Sequence, residues 1–475
     1  QLPVSVRYRN LAAAYLTESP SLTSFAGESH QLLWSFTPEL GLQPTAIYTE
    51  VYHEAMAMRL AEHALRLNDG DIQAVSIWLE ANFSRELDQP AGYDNPAYPA
   101  NRRDARYYAV AAGSAPVQVA LGRSLEQRNT VMARLMIGAL SESTGGATLW
   151  QGLGTSRPLV AALSYPDRRV RYDAAMTIAG ADPRTNFSGA ELIVPTLASV
   201  VGDAGTRYAI VISRDEDRRQ SFDSILTDME FVVLPPVSSL SEASTFIADI
   251  PGVDVIVTDI PDQPGIDLIE EIRRTARLRA TPVIALMPFE NVNQFGPRYA
   301  NDDLTRIARE GLGASEIRAT IDAVVSRASG APMSQDEAEE YARRSLQLLE
   351  RLAVGRNTVL NVSDAASSLI AALPMTFDEM QVDVARVLSY VNERRAQVAI
   401  VDAALSASGN QRVQLVNIAS QSAKRYGNML ENRQVQQMIE MAENATGEEA
   451  TAAAAFIGSL NLPGNRIVPL ILGSN

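Results

Sequence analysis

The sequence predicts a multidomain protein that is mainly α-helical and carries one α/β domain with a doubly wound parallel sheet. Between residues 206 and 330, short apolar, β-branched runs alternate with amphipathic helical patterns. Paired helical patterns recur on both sides of that stretch, over 105–205 and 331–475. With 475 residues, the chain is also too long for one ordinary domain.

The N-terminal segment, residues 1–45, is predicted to be mainly irregular. Four prolines interrupt it, and a single helical pattern covers residues 6–16. We expect this segment to pack on the helices that follow.

Residues 46–104 are predicted to form a helical hairpin and a linker. One amphipathic helix covers 47–67, and Asp71 caps a second helix over 72–87. The hairpin resembles a single tetratricopeptide-type unit. Residues 88–104 are rich in Pro, Gly, Asn and Tyr, which is typical of a functional loop or of a domain boundary, and we favour the boundary.

Short paired helices are predicted between residues 105 and 205. Helical patterns over 116–125 and 131–140 form one pair, and those over 158–163 and 172–179 form the next. A third pair begins at 190–197, but its second helix is missing because the α/β stretch starts at 206.

The second of these pairs carries a distinctive set of residues. Asp167, Val170 and Arg171 precede two small residues, Ala174 and Ala175. This pattern resembles HEAT repeats. The resemblance implies that the Asp caps the second helix, that the Val packs inward and that the small residues allow close stacking.

The α/β stretch is predicted to contain four recognisable strands and four helices. The strands cover 208–212, 231–234, 253–257 and 282–286. The helices cover 213–226, 240–250, 266–277 and 316–326. Strands that alternate with helices at this spacing imply right-handed crossovers and a parallel sheet.

Asp259 directly follows the third strand, and this order resembles the receiver domain of bacterial response regulators over about a quarter of the chain. The resemblance implies an acidic pair after the first strand, which holds Mg²⁺. It also implies an acceptor Asp after the third strand, a hydroxyl residue after the fourth and a Lys after the fifth.

Several positions depart from that scheme. Asp259 matches the acceptor, but Ser213 and Arg214 stand where the acidic pair is expected, with Asp215 and Asp217 displaced along the chain. An Arg beside the acceptor competes with a metal ion rather than binding it. The simplest alternative for Asp259 is a solvated carboxylate that caps a turn, and we favour that interpretation.

The hydroxyl and the Lys are also missing. Met287 stands where the hydroxyl is expected, and Lys424 is the only lysine of the chain. The sequence therefore predicts a degenerate receiver-like domain that has lost phosphotransfer. Its vestigial phosphoacceptor site would consist of Asp259, Asp215, Ser213 and Met287.

Paired helices return over residues 331–475. Ser334-Gln-Asp-Glu337 is a capping box that opens a helix to about residue 352. Three pairs follow, 365–373 with 382–391, 396–405 with 413–422, and 436–442 with 450–460. The sequence leaves open whether the α/β domain is inserted in one α-solenoid or joins two.

Composition excludes some functions. A net charge of −15 argues against nucleic-acid or anionic-membrane binding. No cysteine is present, which excludes disulfides and thiol catalysis. No apolar run is long enough to span a membrane. The compartment stays open between the cytoplasm and, after removal of a signal peptide, an extracytoplasmic location.

The sequence patterns for other catalytic or metal-binding sites are weak. His53 and His63 are ten residues apart, whereas a zincin helix needs two His four apart. Asp259, Asp262 and Asp267 near one strand end are predicted to be solvated rather than to hold a divalent ion. We therefore predict no catalytic, cofactor-binding or metal-binding residue, and no cofactor.

Three functions are weighed. The first is a non-enzymatic scaffold that binds an unidentified protein or peptide on its helical repeats. The second is a signalling switch phosphorylated at Asp259. The third is an enzyme with a pocket at the carboxyl ends of the parallel strands, near Ser213, Asp259 and Met287. We favour the first, and the oligomeric state stays open.

Overall fold

The computed structural model describes residues 2–143, 145–248 and 250–472. As predicted, the chain is mostly helical and contains a parallel sheet, which has five strands rather than the four assigned from the sequence. It divides into two compact units. The first unit comprises residues 1–177 and 208–331, and the second unit comprises residues 178–207 and 332–475. Both units are therefore discontinuous in sequence.

The chain before the parallel sheet forms ten helices and one hairpin within the described residues. Their bounds are α1 (Val4–Leu16), β1 (His30–Thr37), β2 (Gly41–Tyr48), α2 (Tyr52–Leu67), α3 (Ile72–Asp88), α4 (Ala105–Ala112), α5 (Ser114–Gln127), α6 (Thr130–Ser143), α7 (Thr148–Gln151), α8 (Pro158–Ala162), α9 (Arg168–Gly180) and α10 (Ile193–Asp203).

The expectation of irregular structure in the N-terminal segment is wrong from residue 30 onward. The antiparallel hairpin β1–β2 pairs Gln31 with Ile47, and both side chains are fully buried. Pro44 lies within β2, opposite Trp34. A proline is tolerated there because each strand of a two-stranded sheet is an edge strand with one unpaired side.

The predicted linker is a loop that packs on α3. The guanidinium of Arg85 lies over the ring of Tyr98, with Cζ 3.7 Å from the ring centroid. The Tyr98 hydroxyl donates a hydrogen bond of 2.5 Å to the Arg103 carbonyl oxygen. The helices on both sides of this loop belong to the first unit.

The sheet-containing segment alternates strands and helices. Its elements are β3 (Arg207–Ile212), α11 (Glu216–Asp228), β4 (Phe231–Val233), α12 (Leu240–Ile247), β5 (Val255–Thr258), α13 (Asp262–Arg274), β6 (Val283–Met287), α14 (Phe289–Phe295), β7 (Thr305–Arg309) and α15 (Ala314–Ser329). The strand order is β4-β3-β5-β6-β7. This is one of the two common doubly wound orders, with the strand order reversing beside β3.

Two apolar cores cover the two faces of this sheet, because successive side chains of a strand point to opposite faces. Ile210 and Ile256 pack with residues of α12 and α13 on one face. Val211 and Val257 pack with residues of α11 and α15 on the other. Strands buried on both faces explain why the runs are continuously apolar.

The C-terminal chain is helical. Its elements are α16 (Gln335–Val354), α17 (Ala366–Ala372), α18 (Asp378–Leu388), α19 (Arg394–Ser406), α20 (Gly409–Tyr426), α21 (Asn432–Asn444), α22 (Gly447–Ser459) and α23 (Gly464–Leu472). Helices α16, α18, α20 and α22 contact one another in sequence, and α17, α19 and α21 form a second row.

Helix α10, which begins the third predicted pair, has its partner helix after the sheet-containing segment of the sequence. Helix α10 packs against α16 inside the second unit. The Ser345 hydroxyl donates to the Leu197 carbonyl oxygen at 2.5 Å, and Arg351 donates to the carbonyl oxygens of Ala179 and Gly180, both at 2.9 Å. The sheet-containing segment is therefore inserted between two helices that pack together.

Among the residues that the structure describes, no helix has both the length and the apolar character needed to cross a bilayer.

Candidate functional site

The carboxyl ends of the parallel strands bring together one cation and two acids. Asp259 lies one residue beyond β5, and Glu310 directly follows β7. Arg218, in the first turn of α11, lies between them. Its Nη1 is 3.4 Å from Asp259 Oδ2, and its Nη2 is 2.9 Å from Glu310 Oε2.

In this arrangement the Asp259 side chain is largely buried. The Asp259 side chain is only 7% exposed, whereas that of Arg218 is 41% exposed. The hydrogen bond to Glu310 raises the pKa of Arg218, and the charge of Asp259 raises it further, although burial opposes both effects. A guanidinium that always carries its charge therefore lies beside Asp259 Oδ2.

Two of the predicted site residues are engaged in the turn between β3 and α11. Asp215 is the N-cap of α11, and its Oδ1 accepts hydrogen bonds from the amides of Asp217 at 2.9 Å and Arg218 at 3.2 Å. Ser213 is fully buried, and its Oγ accepts from the Asp215 amide at 3.1 Å. Both side chains therefore stabilise the start of the helix that carries Arg218.

Met287, the fourth predicted site residue, belongs to the core. It is fully buried among the residues of α12 and α13. Within the described part of the chain, no hydrogen bond joins Ser213 to Asp259. The four predicted residues thus do not converge on one ligand-binding point. The structure instead couples Asp259 to Arg218 and Glu310.

Sequence reasoning missed both of these partners. Arg218 lies three residues after the N-cap Asp215, so it belongs to the first turn of the helix that starts at the strand ends. Glu310 follows β7, the one strand of the parallel sheet that the sequence did not assign, because the two arginines of Thr305-Arg-Ile-Ala-Arg309 interrupt its apolar run.

The remaining acids of this edge have separate partners. Asp262 accepts a hydrogen bond from Asn291 Nδ2 at 2.8 Å, and Asp267 accepts one from Gln263 at 2.8 Å. Neither contact involves Asp259. These three carboxylates therefore do not form one cluster.

The histidines also lie apart. His53 is buried and its Nε2 lies 2.9 Å from Thr23 Oγ1, while the ring of His63 stacks on Tyr8 at 5.3 Å between centroids. Burial lowers the pKa of both imidazoles.

A shallow recess lies at the opposite edge of the sheet, before the strands begin. Pro166, Arg168, Asp254, Thr281 and Ser329 are among its lining residues. Arg168 lies 3.3 Å from Asp254, which accepts a hydrogen bond from the Tyr208 amide at 2.7 Å. This recess is therefore not at the edge where an enzyme pocket is expected in an open α/β sheet.

No family model matches this chain, and neither a curated protein nor a solved structure shows significant similarity to it.

Proposed function

We propose that this protein is a non-enzymatic interaction scaffold, in which paired helices of an α-solenoid carry a receiver-like domain that does not transfer phosphate. One observation carries the second half of this proposal. Asp259, the candidate acceptor, is paired with Arg218, and that guanidinium is also bound to Glu310.

The chemistry of the site supports this proposal. A receiver needs a carboxylate pair for Mg²⁺ and a Lys that contacts the phosphoryl group. Here Glu310 directly follows the fifth strand of the parallel sheet, where the resemblance implies a Lys. A negatively charged side chain therefore replaces a positively charged one. The Oδ1 atom of Asp215 already accepts hydrogen bonds from two backbone amides. Transfer of phosphate to Asp259 would add negative charge near Glu310, and Arg218 is the cation that already pairs with both acids.

The helical part supports the interaction role. Two rows of helices, α16-α18-α20-α22 and α17-α19-α21, run through the second unit. Repeated helix pairs bury one another's apolar faces and leave extended surfaces, which such proteins use to bind other proteins.

The hairpin supplies a second candidate surface. Trp34, Phe36, Leu42 and Pro44 lie on one face of β1–β2, since Phe36 pairs with Leu42 and Trp34 pairs with Pro44. Phe36 is 70% exposed, Leu42 is 65% exposed and Trp34 is 50% exposed. Contiguous exposed apolar side chains are typical of interaction sites. We call these four residues the hairpin face.

We expect acetyl phosphate with Mg²⁺ to leave the mass of the purified protein unchanged, because Arg218 already occupies the space beside Asp259. Intact-mass spectrometry measures this, with an active receiver domain as the positive control. A stable gain of one phosphoryl group that disappears in Asp259→Asn would overturn the proposal and favour the phosphorylated switch.

Substitution of the hairpin face is expected to reduce partner binding without loss of stability. The double variant Phe36→Ser/Leu42→Ser should change the free energy of unfolding by no more than about 0.5 kcal/mol, because both side chains are exposed. Cross-linking in an extract of the source organism, followed by mass spectrometry, should recover fewer partners with this variant than with the native chain.

Phe289→Ser is the matched control, since Phe289 is 63% exposed but lies outside both the hairpin and the helical rows of the second unit. Recovery of the same partners by the double variant, the control and the native chain would exclude the hairpin face as a binding surface.

A further inference from the structure

Three acidic side chains that are far apart in sequence meet at one end of the N-terminal helices. Glu18 follows the end of α1, Glu54 lies in the first turn of α2, and Asp88 is the last residue of α3. One carboxylate oxygen from each lies within 4.8 Å of those of the other two. The arrangement arises because α2 packs against both α1 and α3.

Glu54 is the unusual member of this cluster. It is only 4% exposed, and its Oε2 has no hydrogen-bond partner among the residues that the structure describes. A buried charged group without a partner is costly, so such a group is normally paired, neutral or bound to a metal ion. Glu18 and Asp88 are exposed and open the cluster to solvent on one side.

The charged side chains near this cluster are mostly negative. Burial raises the pKa of Glu54 to about 8, and the charges of Glu18 and Asp88 contribute to the same shift. Burial raises the pKa of Asp88 to about 6, with Glu18 and Asp303 adding to it and Arg327 opposing it. The carboxyl ends of α1 and α3 also lie here, and helix dipoles make such ends attractive to cations, although the amino end of α2 opposes this effect.

We propose that Glu18, Glu54 and Asp88 form a binding site for a hard divalent cation, and that Ca²⁺ is its preferred ion. Carboxylate oxygens alone suit Ca²⁺ and Mg²⁺ rather than Zn²⁺ or copper. Ca²⁺ takes ligands at about 2.3–2.6 Å, so two of its ligands can lie up to about 5.2 Å apart, and the three carboxylate oxygens lie within that limit. Mg²⁺ demands a tighter octahedron and keeps more water.

The cation would hold the ends of three helices together and supply the partner that Glu54 Oε2 lacks among the described residues. Binding to the folded chain alone stabilises that chain by mass action. Removal of the cation should therefore loosen α1, which begins the chain and packs against α2 and α3.

The test uses the full chain, stripped with a chelator and then titrated with CaCl₂ or MgCl₂ in calorimetry and in thermal unfolding. We expect saturable Ca²⁺ binding, an unfolding temperature that rises with Ca²⁺, and a weaker response to Mg²⁺. In Glu54→Gln, both the binding heat and the temperature shift should be lost.

Glu80→Gln is the matched control. Glu80 lies on α3, is 2% exposed, and has a pKa that burial raises to about 8. However, its carboxylate already accepts a hydrogen bond from Arg123 at 2.6 Å. This variant should keep the Ca²⁺ response. Asp88→Asn, at an exposed position, serves as a second ligand variant whose folding is not in question, and it should weaken Ca²⁺ binding at least about tenfold.

Two outcomes would overturn the proposal. One is the absence of any Ca²⁺-dependent shift in the native chain at millimolar concentration. The other is an equal shift in the native chain, in Glu54→Gln and in Asp88→Asn, which would mean that Ca²⁺ only screens a surface of net charge −15.

Discussion

Replacement of Arg171 by methionine is expected to lower the free energy of unfolding of the first unit by about 2–4 kcal/mol, since hydrogen bonds from charged groups are strong and their loss leaves buried acceptors unpaired. The Arg171 guanidinium donates to the carbonyl oxygens of Tyr165 at 2.5 Å, Pro166 at 2.7 Å and Pro251. Methionine keeps much of the aliphatic stem but supplies no donor. The loss therefore reports on the hydrogen bonds rather than on packing.

Arg171 ties helix α9 to the loop before β5, so the effect should be local as well as global. Native-state hydrogen exchange should show faster exchange in β5 and in α9. Burial also lowers the pKa of Arg171, which shows how thoroughly water is excluded there.

Arg274→Met provides the control for this prediction. Arg274 is 75% exposed and pairs with Glu270 at 2.7 Å on the surface of α13. We expect a change of no more than about 0.5 kcal/mol, because exposed ion pairs contribute little. Equal losses in the two variants would contradict the anchoring role of Arg171.

Substitution of Gly265 by alanine is expected to destabilise the first unit by about 1–3 kcal/mol, the usual cost of overpacking a core. A Cβ at this position would lie 2.1 Å from the Ile260 carbonyl oxygen and 2.7 Å from Met287 Cε. The methionine end can move, but the carbonyl oxygen belongs to the backbone that leads from Asp259 into α13. The start of that helix must therefore shift away from the sheet.

Chemical denaturation followed by circular dichroism measures the loss, with Gly138→Ala as its control. Gly138 lies inside α6, and a Cβ there would meet no atom within 4 Å. Alanine should stabilise that helix by up to about 1 kcal/mol, because glycine is a poor helix former. The two variants should thus change stability in opposite directions. A neutral Gly265→Ala would mean that the contact with Ile260 relaxes freely.

The sheet was predictable because its signal is local. The runs at 208–212 and 282–286 are continuously apolar, which requires burial on both faces and hence a parallel sheet between helices. Strand β7 escaped detection because its two arginines break that pattern, and sheet order depends on pairing between distant segments. The hairpin β1–β2 was also not predicted. Its exposed face carries apolar side chains, whereas such side chains normally indicate the buried face of a strand.

The candidate site was predictable only in part. The position of Asp259 followed from the strand that precedes it, because parallel strands end at a common edge. Its partner Arg218 comes from another element, and the choice between Arg214 and Arg218 depends on how α11 is capped and rotated. Met287 was assigned to the same edge, but its side chain turns into the core beside Gly265.

By itself, the sequence determined most of the longer helices and the central strands, because the period of apolar residues decides which face of an element can be buried. Only the tertiary structure decided that α10 packs against α16, although the sheet-containing segment separates them in sequence, and that Arg218 pairs with Asp259. It likewise brought Glu18, Glu54 and Asp88 to one point. These contacts join residues that are far apart along the chain, and no local pattern encodes which distant surfaces meet.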